Sequence, residues 1–414
     1  MNDTLDVIVV GAGVAGLAAA AALREAGRRV AVVEASGRVG GRAWTVGFGG
    51  EPLDLGASWL HEAARNPLVA LARLAGEKLL DSDAARSRRL VVDGRAASPA
   101  EWAARDAASA AFDAVAHGRA KAGPDTSLAE AVAGLRGDPW CATIETWEAT
   151  LIAAADPDDF SVRDWSANEL LGADLVPPAG VGALVAKLLP PAAGAVHLDT
   201  PATRIGWDGP VTVATPRGTL RARSCIMTVS TGVLAAGGIG FDPPLPAAVR
   251  AAIDGLPMGL LTKVALRGGG RLGLPDTCSI QHRVAARGDP TMFFQAWPFG
   301  RDHVVGFVGG PAAWALAREG AAATEAFARA QWRAVMGAAA GLGEAAVSPW
   351  ADDPWQRGAY AYARPGQDGA RAVLGTPLGG GRLVFAGEAV CTDGLAGTVG
   401  GAWLSGRRAA GLVA

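Results

Sequence analysis

Leu5-Asp6-Val7-Ile8-Val9-Val10, followed at once by Gly11-Ala12-Gly13-Val14-Ala15-Gly16, decides how this chain begins to fold. The first run reads as a buried strand, and the alanine-rich stretch from Leu17 to about Ala26 reads as a helix. A second strand, Arg29 to Val33, ends on Glu34. This is a βαβ unit carrying G-x-G-x-x-G in the context that motif requires. Gly11 permits the tight turn, and Gly13 lets backbone amides, with Ala15 in the first helical turn, approach a pyrophosphate. Gly16 lets helix and strand pack closely. Glu34, with Ala35 beside it, falls where a carboxylate accepts hydrogen bonds from an adenosine ribose.

The fingerprint alone does not separate NAD from FAD. Two further stretches do. Arg38-Val39-Gly40-Gly41-Arg42 follows Glu34 closely. Far downstream, Leu383-Val384-Phe385-Ala386-Gly387-Glu388 leads through a glycine-rich turn to Gly397-Thr398-Val399-Gly400-Gly401-Ala402-Trp403, another strand, turn and helix. Together these segments resemble the opening and the C-terminal signature of the flavin amine oxidase family, and within it the polyamine oxidase-like branch. The resemblance implies an α/β fold: a Rossmann-like FAD-binding domain interleaved with an α+β substrate-binding domain. Residues 1–72, 178–255 and 372–414 are assigned to the first, and 73–177 and 256–371 to the second.

Composition bounds the rest. The chain has 414 residues, half of them hydrophobic, so two domains with real cores are affordable. A formal net charge of −2 gives no electrostatic case for nucleic acid, and no apolar run is long enough to span a bilayer. The first strand begins within a few residues of Met1, without a basic leader, so a cytoplasmic protein is expected. The four cysteines are widely spaced and read as reduced and mostly buried; the five histidines show no metal-ligand spacing, so no metal is expected. Residues 73–177 read as a mainly helical insertion broken by Pro177-Pro178-Ala179-Gly180, and Arg86-Ser87-Arg88-Arg89 as a solvated basic face. Short strands are expected at 196–198, 202–205, 211–214 and 225–229, and a helix near 322–340.

What the resemblance implies about chemistry can be placed residue by residue. The family removes a hydride from the carbon next to an amine nitrogen, the imine is hydrolysed, and oxygen usually reoxidises the flavin to give hydrogen peroxide. Lys263, in Thr262-Lys263-Val264-Ala265, matches the family's active-site lysine. Physically, a lysine flanked by apolar residues on a strand must find a polar partner or shift its pKa. Trp350 through Tyr360 resembles the family's tryptophan–glycine–tyrosine segment, putting Tyr360 at one wall of an aromatic cage and Trp350 against the flavin. Ala359 stands where covalently flavinylated members carry cysteine, so the FAD is expected to be held non-covalently. Thr398 replaces the second cage tyrosine of monoamine oxidases. Gly56-Ala57-Ser58-Trp59 lines the cofactor, and His61 falls near the amine channel; Glu62, next to it, departs from the usual glycine. Glu388 and Gly387 would meet the ribityl chain, Arg42 the pyrophosphate, and Arg38, Gly40, Gly41, Ala202 and Val399 the rest of the cofactor.

The substrate expected is a polyamine-like small molecule, with molecular oxygen as second substrate. Two other readings stay open: an L-amino-acid or tryptophan oxidase, which would need an arginine clamp from Arg283, Arg287 or Arg357, and a desaturase or dehydrogenase of the same fold. The acidic residues of the insertion, Asp156, Asp158, Asp159, Asp164 and Glu169, offer charge for a cationic substrate without a readable placement.

Overall fold

The strand Leu5–Val10 lies at the centre of an eight-stranded sheet, with Val30–Val33 parallel on one side and the long strand Gly218–Met227 parallel on the other. The computed structural model describes residues 5–337 and 342–413. Gly218–Met227 is used twice. Its first half pairs antiparallel with Val211–Thr215, and its last residues pair parallel with Leu383–Phe385, which brings the C-terminal segment into the N-terminal sheet. Val7, Ile8, Val9 and Val10 are all buried, as expected of a parallel strand covered on both faces.

One face of this sheet carries two helices, Val14–Glu25 and Val399–Ala410. They pack closely because small residues meet: a Cβ on Gly406 would fall 2.1 Å from the Ala15 carbonyl oxygen. A Cβ on Gly16 would fall 1.9 Å from the Gly11 carbonyl oxygen, which is the close strand–helix approach read from the motif.

A second, seven-stranded sheet runs in the order Ala345–Val347, Leu261–Arg267, His303–Gly309, Phe293–Ala296, Cys278–His282, Ser87–Val92, Arg95–Ala96. It draws strands from both 73–177 and 256–371. The helix Ala321–Met336 covers it, burying Ala328 and Trp332 beside Phe294 and Trp297. The last part of the helix expected over 322–340 lies outside the described residues.

The insertion departs from the sequence reading in two ways. The long helix Pro99–Lys121 is present, opened by a Ser98/Glu101 capping box. Yet Ser87–Val92, whose Arg88-Arg89 looked like part of a solvated face, is a strand paired in parallel with Cys278–His282. Leu90, Val91 and Val92 are its buried part, and partners far along the chain decided its conformation. Secondly, Thr146–Ile152 forms a π-helix, a wider turn that a 3.6-residue period does not anticipate. All four cysteines are free and buried. No helix among the described residues is long and apolar enough to cross a membrane.

Candidate active site

A cavity of about 870 Å³ is lined by residues of both sheets and of the helical insertion. Its floor is the glycine turn. Gly11 has φ +104°, a conformation glycine tolerates, and its Cβ would strike the Thr228 hydroxyl at 2.4 Å. A Cβ at Gly13, by contrast, would meet nothing within 4 Å, because this residue faces the open cavity. The helix beginning at Val14 has no side-chain cap and no acidic residue in its first turn, so its amides and dipole are free for an anion. Glu34 is buried at the end of its strand, accepting the Ala12 amide at 2.6 Å and the Ser36 amide and hydroxyl at 2.9 and 2.8 Å. This cradle fits the pyrophosphate and ribose of a dinucleotide such as FAD.

Ala15, Ala35, Gly40, Gly41, Gly56, Ala57, Ser58, Trp59, Ala202, Gly387 and Val399 also line the cavity. Gly56 is confined: its Cβ would lie 1.8 Å from the Arg42 carbonyl oxygen and 3.1 Å from the Trp350 ring. Trp350 is buried, donating to the Leu55 carbonyl at 2.9 Å. Arg42 and Glu388 meet each other: Nη1 donates to the carboxylate at 2.7 Å and to the Ala359 carbonyl at 2.9 Å. Glu388 thus has a charge-assisted partner at the end of a buried strand.

Two residues expected at the cofactor stand off the cavity wall. Arg38 donates to the Gly41 carbonyl at 2.7 Å and stacks over Trp44 at 4.5 Å, bracing the glycine loop from behind. Gly16 faces the strand, where its missing side chain serves packing.

Lys263 is the electrostatic centre. It is 6% exposed, on the strand Leu261–Arg267. Its ammonium donates to the Gly56 carbonyl, the Ser58 hydroxyl and, at 3.3 Å, the Asp54 carbonyl. Trp59 and Phe307 stand 5.6 and 5.8 Å from it. Among the described residues no carboxylate touches the ammonium, and burial pulls its pKa down to about 8 against the weaker opposing pull of Asp54. A proton acceptable at neutral pH and removable just above it is unusual for a lysine.

Tyr360 lines the same cavity, its hydroxyl donating to the Ile152 and Leu151 carbonyls at 2.9 and 3.2 Å. Burial holds that phenol protonated, well above its ordinary range. Thr398 lines the cavity too, but its hydroxyl is engaged: it caps the helix Val399–Ala410 by accepting the Gly401 amide at 3.0 Å and donates to Leu395 at 2.8 Å. His61 pairs through Nδ1 with Asp174 at 2.8 Å and leans on Trp59.

The insertion supplies what motif reading did not find. Glu148, Asp113, Trp147, Asn168 and Asp174 all line the cavity, together with Glu169. One Glu148 oxygen accepts from the Trp165 indole at 3.1 Å, and burial pushes its pKa up to about 7. Burial and the neighbouring Asp113 carboxylate raise Glu169, with His117 pairing at 2.9 Å opposing them. Of the other acids, Asp164 is paired with Arg371, Asp159 with Tyr362 and Arg364, and Asp158 with Arg287. Arg283 pairs with Asp93, and Arg357 lines the cavity but is exposed. The π-helix hid Glu148 from the sequence, since widening the turn changes which side chains share a face.

Residues 14–414 match the family described as flavin containing amine oxidoreductase. The chain is 29% identical to polyamine oxidase 5 of Oryza sativa subsp. japonica, covering 97% of this chain and 86% of that protein. It is equally 29% identical to the probable polyamine oxidase 4 of Arabidopsis thaliana, covering 98% and 86%. A structure of putrescine oxidase bound to putrescine superposes with a TM-score of 0.82 over 99% of this chain and 98% of that one, at 23% identity, a likeness of fold. The chain belongs to the flavin-containing amine oxidoreductase family, with polyamine oxidases among its relatives, and is an enzyme of that family.

Proposed function

We propose that the protein is an FAD-dependent oxidase of small diamines or polyamines, with the FAD held non-covalently. The observation that carries this is the makeup of one cavity: Lys263 and Tyr360 share it with the carboxylates Glu148, Glu169 and Asp113. A substrate with two or more ammonium groups is complementary to carboxylates at a distance from the reacting amine. Residues 1–72, 178–255 and 372–414 would form the cofactor domain, and 73–177 and 256–371 the substrate domain.

In this reading the glycine turn and Glu34 hold the pyrophosphate and ribose, and Arg42, Glu388 and Trp350 flank the rest. Ala359 offers no thiol for a covalent link. When bound, FAD would supply two-electron oxidation of the carbon next to the amine nitrogen, with oxygen as the final acceptor and hydrogen peroxide as the product. Lys263 orients a water at its ammonium, and water then splits the imine to aldehyde and amine. Tyr360 presents its ring to the amine, its hydroxyl anchored on the Leu151 and Ile152 carbonyls. His61, oriented by Asp174, stands on the path to the cavity. A cationic substrate is drawn in by the carboxylates, and its reacting amine releases a proton to water before the neighbouring carbon can give up hydride.

Anaerobic mixing tests the reading. The purified yellow protein, followed by its visible spectrum, should bleach rapidly with putrescine or spermidine and form peroxide when air is readmitted. Bleaching with L-amino acids alone would move the activity to that branch. No bleaching with any amine would overturn the amine assignment and favour a desaturase acting on another substrate.

A further inference from the structure

Glu62 sits in a conformation that side chains rarely adopt, with φ +56°. Its surroundings show what holds it there. One carboxylate oxygen accepts the Gly172 amide at 2.6 Å, and the other accepts Arg65 Nε at 3.1 Å. Arg65 in turn donates to the Asp393 and Gly394 carbonyls at 2.8 and 3.0 Å. The carboxylate seats directly against this glycine: a Cβ on Gly172 would lie 2.7 Å from it. The side chain is not on the cavity wall, so it is no direct anchor for an amine.

What Glu62 grips is a segment that lines the cavity and reaches its exposed rim. Glu169, Leu170, Leu171 and Asp174 all line the cavity, and Leu171 is 85% exposed, an apolar residue at its rim. The same segment is tied to 60–63 by the Leu60–Leu175 bridge, by the Ala63 amide on the Ala173 carbonyl at 2.9 Å, and by His61 on Asp174. Glu62 adds a charge-assisted cross-link to this seam. The Gly172 amide and Arg65 both favour its ionised form.

We propose that Glu62 is a positioning residue that fastens the 169–174 segment across the cavity mouth, setting how the amine substrate is admitted and gripped without touching it. The substrate half of this statement rests on the amine-oxidase reading above.

Three variants of the flavin-loaded protein test it: Glu62→Gly, which suits the backbone and removes the latch; Glu62→Ala, which removes the latch and keeps the strain; and Glu62→Gln, whose amide oxygen can still accept from Gly172. Two readouts apply, amide hydrogen exchange of 169–174 without substrate, and steady-state kinetics with putrescine and spermidine. In Glu62→Gly, exchange of this segment should speed up about tenfold and KM rise about fivefold, with kcat within about twofold of wild type. Glu62→Ala should match it, and Glu62→Gln should recover most of both effects. The glycine variant should melt no lower than wild type, which separates a lost latch from a damaged fold. Unchanged exchange in Glu62→Gly overturns the proposal, as does faster exchange with unchanged KM. If the wild-type protein bleaches with no amine, that failure belongs to the functional reading, and the exchange comparison alone then decides the latch.

Discussion

Lys263 and Arg371 are two buried cations, 6% and 5% exposed, treated in opposite ways. Arg371 meets Asp164 through two parallel hydrogen bonds of 2.8 Å and donates further to the Ala389 and Ala361 carbonyls. Its charge is matched by a buried carboxylate, which keeps it ionised. Lys263 has only neutral oxygens around its ammonium, so its burial shows as a lowered pKa. The lesson is one of role. A paired buried charge locks two segments together, here the insertion and the C-terminal part of the chain; an unpaired one stays reactive, and its cost is met by the rest of the fold.

The sharpest way to break the comparison is Asp164→Ala. It strands the Arg371 guanidinium and leaves the Ala363 amide, now bonded to Asp164 at 2.8 Å, without its partner. A loss of about 3–5 kcal/mol is expected, read from urea unfolding. A loss below about 1 kcal/mol would mean the pair is not structural.

Lys263→Met should do the reverse, holding or raising stability while cutting flavin reduction or reoxidation about 100-fold or more, some 2.7 kcal/mol of barrier per hundredfold. Stability against pH tests the cause. The Lys263 pKa falls from 10.5 to about 8 on folding. Between those values the unfolded chain binds more protons, so stability rises with pH. Below about pH 8 the burial cost is fully present; by about pH 10.5 it is relieved, a gain of roughly 3 kcal/mol. Subtracting the Lys263→Met curve removes the other titrating groups. A flat difference would show that the ammonium is not desolvated.

Glu148 gives a smaller effect, from a pKa shifted in the opposite direction. With its pKa pushed up to about 7, it loses its charge as pH falls through neutrality. The KM for a diamine should therefore be about tenfold higher at pH 6 than at pH 8, and Glu148→Gln should flatten that dependence. An unchanged profile in the variant would take Glu148 out of substrate binding. Thr398 gives the smallest. Thr398→Val removes the helix cap and should lower stability by about 1 kcal/mol, while Thr398→Ser should keep it.

Legibility followed the same division. The strand Leu5–Val10, its glycine turn and Glu34 obey local rules, and the structure places them within a residue or two of the sequence reading. Lys263 was readable as a charge in an apolar strand. The partnership of Arg42 with Glu388, 346 positions apart, was not, since no spacing encodes it. Nor was the role of Glu62, whose partner Gly172 lies 110 positions away. In the insertion, helical periodicity found the long helix but missed Ser87–Val92, whose strand state comes from pairing with residues nearly two hundred positions away.

By itself the sequence determined the parts whose chemistry is local. The glycines of the dinucleotide turn sit where the backbone is left-handed or nears another chain segment, and an apolar run such as Val7–Val10 buries itself. Only the tertiary structure decided which buried charges are paired, which carboxylates face the cavity and what holds its mouth, because long-range Coulomb and hydrogen-bond partners are set by three-dimensional proximity and leave no period in the chain.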